Sequence, residues 1–137
     1  MKAFDLSGQH IVVTGAGGGI GGEAAKLAAS LGARVSVSDL HAPESLAEAI
    51  AQTGADARAS AVDVTDRHAV EAWADELGPV DALIDCAAIC PFDDWSEQGW
   101  DAMFDKVLDV NLHGPVNLVR AFMPGMRARR GGRIALV

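Results

Sequence analysis

The run Thr14-Gly15-Ala16-Gly17-Gly18-Gly19-Ile20-Gly21 follows the apolar stretch Ile11-Val12-Val13 and opens an alanine-rich helical pattern. A strand, a glycine turn and a helix start are what a diphosphate cradle requires. Gly15 lets the chain turn sharply off the strand, Gly19 leaves room for a diphosphate to approach the backbone, and Gly21 lets the helix pack close to the strand. Backbone N–H groups and the positive end of the helix then face the anion. Glycine triplets also serve hairpins and linkers, but this one sits at the right point of a strand–helix–strand pattern. Asp39 lies eighteen residues after Gly21 and ends the next apolar stretch. A carboxylate there accepts hydrogen bonds from both ribose hydroxyls of an adenosine half and repels a 2′-phosphate. No Arg or Lys falls in Ala16–Gly18 or just after Asp39 to offset that repulsion. The expected cofactor is NAD(H) rather than NADP(H), with an ordinary surface Asp in a strand-to-helix turn as the alternative.

Other chemistry-bearing residues read as structural. Cys86 and Cys90 have no second Cys/His pair at ligand spacing, so no metal site is expected. Cys86 ends an apolar strand and reads as a small buried residue. His10, His41, His68 and His113 are scattered, and Asp101, Asp105 and Asp109 recur every four residues as a solvated helix face. Arg127, Arg129, Arg130 and Arg133 fall at a helix C-terminus, where cations suit the dipole. The net charge of −8 argues against nucleic acid or an anionic membrane surface as partner. No apolar run approaches a membrane span, and the first eight residues lack the apolar core of a signal peptide, so a cytoplasmic location is expected.

The elements that position these residues alternate. Short apolar strand patterns run over His10–Thr14, Arg34–Asp39, Arg58–Asp63, Val80–Cys86 and Arg133–Val137. They are expected to be covered on both faces. The first helix spans about Ile20–Leu31, with Ala24, Leu27, Ala28 and Leu31 on one face and Gly32 closing it. The second starts near Pro43 and presents Leu46, Ala49 and Ile50. The third starts near Thr65 as N-cap and buries Val70, Trp73, Ala74 and Leu77. The fourth is long, from about Glu97 to Arg129, and is interrupted around Gly114-Pro115. This order predicts one α/β domain over residues 1–137, a doubly wound parallel sheet with right-handed crossovers.

With these residues in place, the chain resembles the N-terminal, cofactor-binding half of the classical short-chain dehydrogenase/reductase family. Thr14, Gly15, Gly19 and Gly21 meet its TGxxxGxG motif, and Asp39 its acidic residue after the second strand. Asp63-Val64 matches the pair that contacts adenine in the family. The NNAG motif appears as Asp85-Cys86-Ala87-Ala88, with both asparagines missing and alanine in place of glycine. Asp109-Val110-Asn111-Leu112 is similar to the helix that carries the family's structural and catalytic Asn. The resemblance implies a Rossmann-like sheet of order 3-2-1-4-5 in the part present. It implies a cofactor site of Gly15, Gly17, Gly19, Ile20, Gly21, Asp39, Asp63, Val64 and Ala87, with Asn111 the one residue matching the catalytic set.

The family's remaining chemistry is a Ser after the fifth strand and a YxxxK pair on the next helix. The chain stops at Val137 and contains no tyrosine. It reads as a domain truncated at the fifth strand, inactive alone, with Asn111 left a structural role. The expected function is that part of an NAD-dependent oxidoreductase that binds the dinucleotide, the whole transferring a hydride to or from a secondary alcohol or ketone. A non-catalytic dinucleotide-binding or interaction module is the alternative. Ile89, Pro91 and Phe92 are candidates for one wall of a substrate pocket. An unpaired fifth strand and the apolar Val116, Val119, Phe122, Met123 and Met126 predict a homo-oligomer, or a chain stable only together with the family's second half.

Overall fold

The computed structural model describes residues 4–91 and 94–137. Phe92 and residues 1–3 lie outside the described residues. Five parallel strands form one sheet in the order β3-β2-β1-β4-β5. They are β1 (His10–Thr14), β2 (Arg34–Asp39), β3 (Ala57–Ala61), β4 (Ala82–Asp85) and β5 (Arg133–Leu136). The helices are α1 (Gly19–Ser30), α2 (Glu44–Ala51), α3 (Arg67–Leu77), α4 (Trp100–Leu108) and α5 (Gly114–Ala128). The first two strands have the bounds read from the sequence. β3 and β4 end earlier than expected, at Ala61 and Asp85, because their next residues turn into the loops that build the site, and β5 ends at Leu136, one residue short of the expected Val137.

Alternation along β1 splits the core in two. Ile11 and Val13 point to one face, against Ala25, Ala28 and Ala29 of α1 and Ala47 and Ile50 of α2. Val12 points to the other, against Val70 and Trp73 of α3 and Leu118, Phe122 and Met126 of α5. This is the doubly wound arrangement, with β1 fully buried at its centre. The expectation of strands covered on both faces holds for β1 but not for the sheet edges. β3 and β5 keep exposed residues because each has a neighbour on one side only.

The helix faces depart from expectation in detail. Leu27 is exposed, and the buried stripe of α1 is Gly21, Gly22, Ala25, Ala28 and Ala29. Small residues let this helix lie close on the sheet, and a leucine would hold it off. In α2 Ala47 is buried and Ala49 exposed. Asp66, not Thr65, caps α3: its Oδ1 accepts from the His68 and Ala69 N–H groups at 2.9 and 3.1 Å. Thr65 is diverted because its own N–H and hydroxyl donate to Asp63 Oδ1. The long helix is interrupted just before Gly114-Pro115, as expected, and starts at Trp100 and not near Glu97. A π turn, Asp109–His113, links α4 to α5, closed by the Gly114 N–H donating to the Asp109 carbonyl. Pro115 offers no N–H to the carbonyl four residues back, and the wider turn accommodates that loss.

Phe122 and Met126 are buried, contrary to the apolar surface expected from them. Phe122 packs edge-on against Trp73, ring centroids 5.7 Å apart at 88°. Phe122→Ala is expected to cost about 3–5 kcal/mol through the cavity it leaves under α3. Chemical denaturation followed by tryptophan fluorescence checks this; a loss under about 1 kcal/mol would show that the α3–α5 contact is not what holds that face.

Candidate functional site

The site forms where β1 and β2 end and the chain turns over the sheet. Gly15 adopts φ +62°, and a Cβ there would overlap the backbone of Cys86 and Ala87 just past β4. A Cβ on Gly21 would stand 2.5 Å from the Gly15 carbonyl oxygen. The glycines thus press the loop flat onto the neighbouring strand and the helix down onto the loop. Gly19 differs: a Cβ there meets nothing within 4 Å. Its glycine serves open space, not internal packing. No side chain caps this end of α1 and no acidic residue lies in its first turn, so its N–H groups face outward with the positive dipole end. Ile20, 67 % exposed, sits on the same turn.

Asp39 stands beside the loop. Its Oδ2 accepts from the Gly17 N–H at 3.0 Å and its Oδ1 from the Leu40 N–H at 2.8 Å. A Cβ on Gly17 would come within 2.9 Å of that carboxylate. Each oxygen keeps a further acceptor position. The cleft holds about 220 Å³ and is lined in part by Thr14, Gly15, Asp39, Asp63, Val64 and Ala87. Asp63 is fixed by the two bonds from Thr65, while the Val64 side chain belongs to the second core. Of the nine expected cofactor residues, Gly15 and Asp39 line this cleft, Gly17 and Gly19 line the groove at the start of α1, Ile20 is exposed on that turn and Gly21 is buried under it. Asp63, Val64 and Ala87 form the far wall.

Sequence reasoning missed part of this wall. Asn117 on α5 donates from Nδ2 to the carbonyls of Val64 at 3.0 Å and Thr65 at 3.3 Å, holding the Asp63 loop. Gly114 lets α5 approach it, since a Cβ would stand 2.8 Å from Val64 Cγ2. The Gly114-Pro115 pair marked an irregularity but not this contact. Lys106 also lines the cleft.

Asp85 and Asn111 hold the floor. Asp85 is buried, and its Oδ1 accepts from the Thr14 hydroxyl at 2.5 Å and the Ala87 N–H at 3.1 Å. The carboxylate thereby satisfies donors on both β1 and the turn after β4, without either motif asparagine. Cys86 is half-buried, not buried as expected, because it is the first residue of that turn. Burial, and after it the Asp85 charge, pushes its thiol up, which keeps it protonated and poorly nucleophilic. Asn111 lies in the π turn. Its Oδ1 accepts from the Ile89 N–H at 2.9 Å and its Nδ2 donates to the Ile89 carbonyl at 2.8 Å. One carboxamide thus pins the loop beyond β4 to the long helix. Among the described residues no group of three His, Cys, Asp or Glu could hold a metal ion, and no helix is long and apolar enough to cross a membrane.

A chain with this sheet order, glycine turn and acidic β2 end has matching relatives. The family model for short chain dehydrogenase matches residues 9–137. The chain belongs to the short-chain dehydrogenase family. Glycine betaine reductase ATRR of Emericella nidulans is 38 % identical over 96 % of this chain and 11 % of its own length. A metagenomic short-chain oxidoreductase in complex with NADP superposes with TM-score 0.89 at 34 % identity, covering 96 % of this chain and 62 % of that one. A 7α-hydroxysteroid dehydrogenase complexed with NADH and 7-oxo glycochenodeoxycholic acid superposes with TM-score 0.89 at 32 % identity, covering 97 % and 54 %. The chain therefore spans little more than half of these solved structures and a ninth of that first relative.

Asp85→Ala is expected to destabilise the chain by about 1–3 kcal/mol for each of the two donors it strands. Asp85→Asn, which keeps an acceptor oxygen, is expected to lose less. Urea midpoints compare the two; equal losses would remove the Thr14 and Ala87 bonds from the account.

Proposed function

We propose that this chain is the dinucleotide-binding part of an NAD-dependent oxidoreductase acting on a secondary alcohol or ketone. The observation that carries the reading is Asp39, held by the Gly17 N–H at the lip of the glycine loop. A 2′-phosphate entering there meets a fixed carboxylate, whereas ribose hydroxyls donate to its free acceptor positions. On α1, Lys26 is engaged by Glu23 at 2.7 Å, and the cation lining the cleft is Lys106 of α4, on the long helix and not on the glycine loop. The solved relatives include one complex with NADP and one with NADH, so family membership alone does not decide the choice. The open space over Gly19 and the uncapped start of α1 suit a diphosphate, and Asp63, Val64 and Ala87 suit the adenosine beyond it. When bound, the cofactor supplies or accepts the hydride. These residues bind and orient it, and Asn111 keeps the loop after β4 in place. Proton transfer in the family is the task of Tyr, and the 137 residues contain none. A cytoplasmic location accords with the charge and apolar pattern of the chain.

Calorimetric titration of the chain with NAD, NADP and ADP-ribose tests this. NAD is expected to bind more tightly than NADP, and ADP-ribose nearly as tightly as NAD. Asp39→Ala is expected to weaken NAD by about 1.5–3 kcal/mol, on the order of ten- to a hundredfold in Kd, and to abolish the preference. Gly19→Val is expected to abolish binding while leaving the melting transition in place, because the fold has room for the side chain. Equal or tighter NADP binding by the unaltered chain would overturn the cofactor choice.

The same reading includes a homo-oligomer. Phe104, Leu108, Leu112, Val116 and Met123 form an exposed apolar stripe along α4, the π turn and α5. Asp101, Asp105 and Asp109 accompany its first half, Arg120 and Arg127 its second. Two copies paired antiparallel about a two-fold axis bring opposite charges together and cover the stripe. Light scattering at low micromolar concentration is expected to give a dimer or larger, and Leu112→Glu with Val116→Glu a monomer. A monodisperse 14.2 kDa native monomer would refute it.

A further inference from the structure

A cavity of about 1000 Å³ lies at the opposite end of the sheet from the glycine loop. Its wall includes His10, the first residue of β1, which is 4 % exposed. The His10 N–H donates to Asp81 Oδ2 at 2.8 Å. The ring nitrogen Nε2 lies 2.8 Å from Ser36 Oγ, a hydroxyl that donates or accepts as needed. Nδ1 has two neighbours: the Pro79 carbonyl oxygen at 3.0 Å and Arg34 Nη2 at 2.8 Å. The carbonyl only accepts and the guanidinium only donates. One nitrogen cannot answer both at once. With its lone pair free, Nδ1 accepts from Arg34 and Nε2–H turns to Ser36. With a proton, Nδ1 donates to Pro79 and has nothing to offer Arg34.

We propose that His10 and Arg34 form a proton-operated latch at this end of the sheet. The neutral ring docks the Arg34 guanidinium on Nδ1. A proton on that nitrogen turns it to the Pro79 carbonyl and releases Arg34 into the cavity, where the carboxylates of Asp56 and Asp81 line the wall. The register sets the two side by side, since His10 and Arg34 are Cα partners in the β1–β2 ladder. Among the described residues Arg34 has no carboxylate within ion-pair distance to hold it elsewhere. The charged groups facing the ring are Arg34 from β2, Asp56 from the approach to β3 and Asp81 from the approach to β4, and Lys26 of α1 lines the same cavity.

Burial, the largest influence, and the Arg34 charge lower the His10 pKa from 6.5; the Pro79 bond and the charges of Asp81 and Asp56 oppose them, and the result is a lowered value. The latch is therefore closed above 6.5 and opens as pH falls through the lowered value. The stability contributed by the neutral ring is present above 6.5 and is lost as pH falls through the lowered folded value.

Nitrogen-detected NMR of the 137-residue chain between pH 7.5 and 5 tests the latch by following the His10 ring and the Arg34 side chain together. Both are expected to shift with one midpoint below 6.5. Arg34→Gln is expected to raise the His10 midpoint, and His10→Gln to leave the Arg34 signals flat. Arg34 signals that stay constant through the His10 titration in the unaltered chain would overturn the proposal. So would a His10 midpoint that Arg34→Gln leaves in place.

Discussion

The architecture of the site depends on how closely one stretch of backbone lies on another. The turn at Gly15 touches the backbone just past β4 with no room for a Cβ, and Gly21 seats α1 on the Gly15 carbonyl. That contact fixes where α1 begins, and with it the direction in which its free N–H groups point. It also brings Gly17 within hydrogen-bonding distance of Asp39 at the end of β2. A side chain at Gly15 would move the loop, the helix start and the carboxylate together. The buried Thr14–Asp85 bond stitches the same junction from beneath, tying the last residue of β1 to the last residue of β4.

The two faces of the sheet contribute unequally to this end. The α1–α2 face supplies small residues, which let the helix lie close enough for its N-terminus to reach the loop. The α3–α5 face supplies bulk, with Trp73, Leu118, Phe122 and Met126 filling the space under Val12 and Leu83. From that face α5 also reaches the site. Gly114 and Asn117 hold the Asp63–Thr65 loop, and the π turn places Asn111 against Ile89. The irregular helix thus fastens two loops of the site, one after β3 and one after β4. The departure at Asp85 is accommodated in the same economical way, since one carboxylate oxygen serves two donors that an asparagine oxygen would also satisfy.

Much of this was legible in the residues. The order of strands and helices follows from apolar period and glycine placement, because both reflect local constraints: pleat, helical turn and left-handed backbone. Hence β1 and β2 have the expected bounds and Trp73 is core. The positions of Gly15, Gly21 and Asp39 likewise follow from spacing, since the strand–turn–helix unit has little freedom in length. The faces of α1 and α2 were read less well. Leu27 looks apolar in any window, yet only distance to the sheet decides whether a leucine or an alanine faces it.

What the sequence by itself determined is therefore the repertoire: a doubly wound sheet, a glycine cradle and an acid beyond the second strand. Tertiary structure alone decided which distant groups meet. Asp85 meets Thr14 across 71 residues, Asn117 meets Val64 across 53, and His10 meets Ser36 across 26. It also decided that Phe122 and Met126 turn inward while Leu112 and Val116 on the same long helix stay out. The physical reason is that hydrogen bonding and packing between remote segments leave no periodic trace along the chain. A buried carboxylate, an amide in a π turn and a contested imidazole nitrogen take their meaning from neighbours that only the folded sheet supplies.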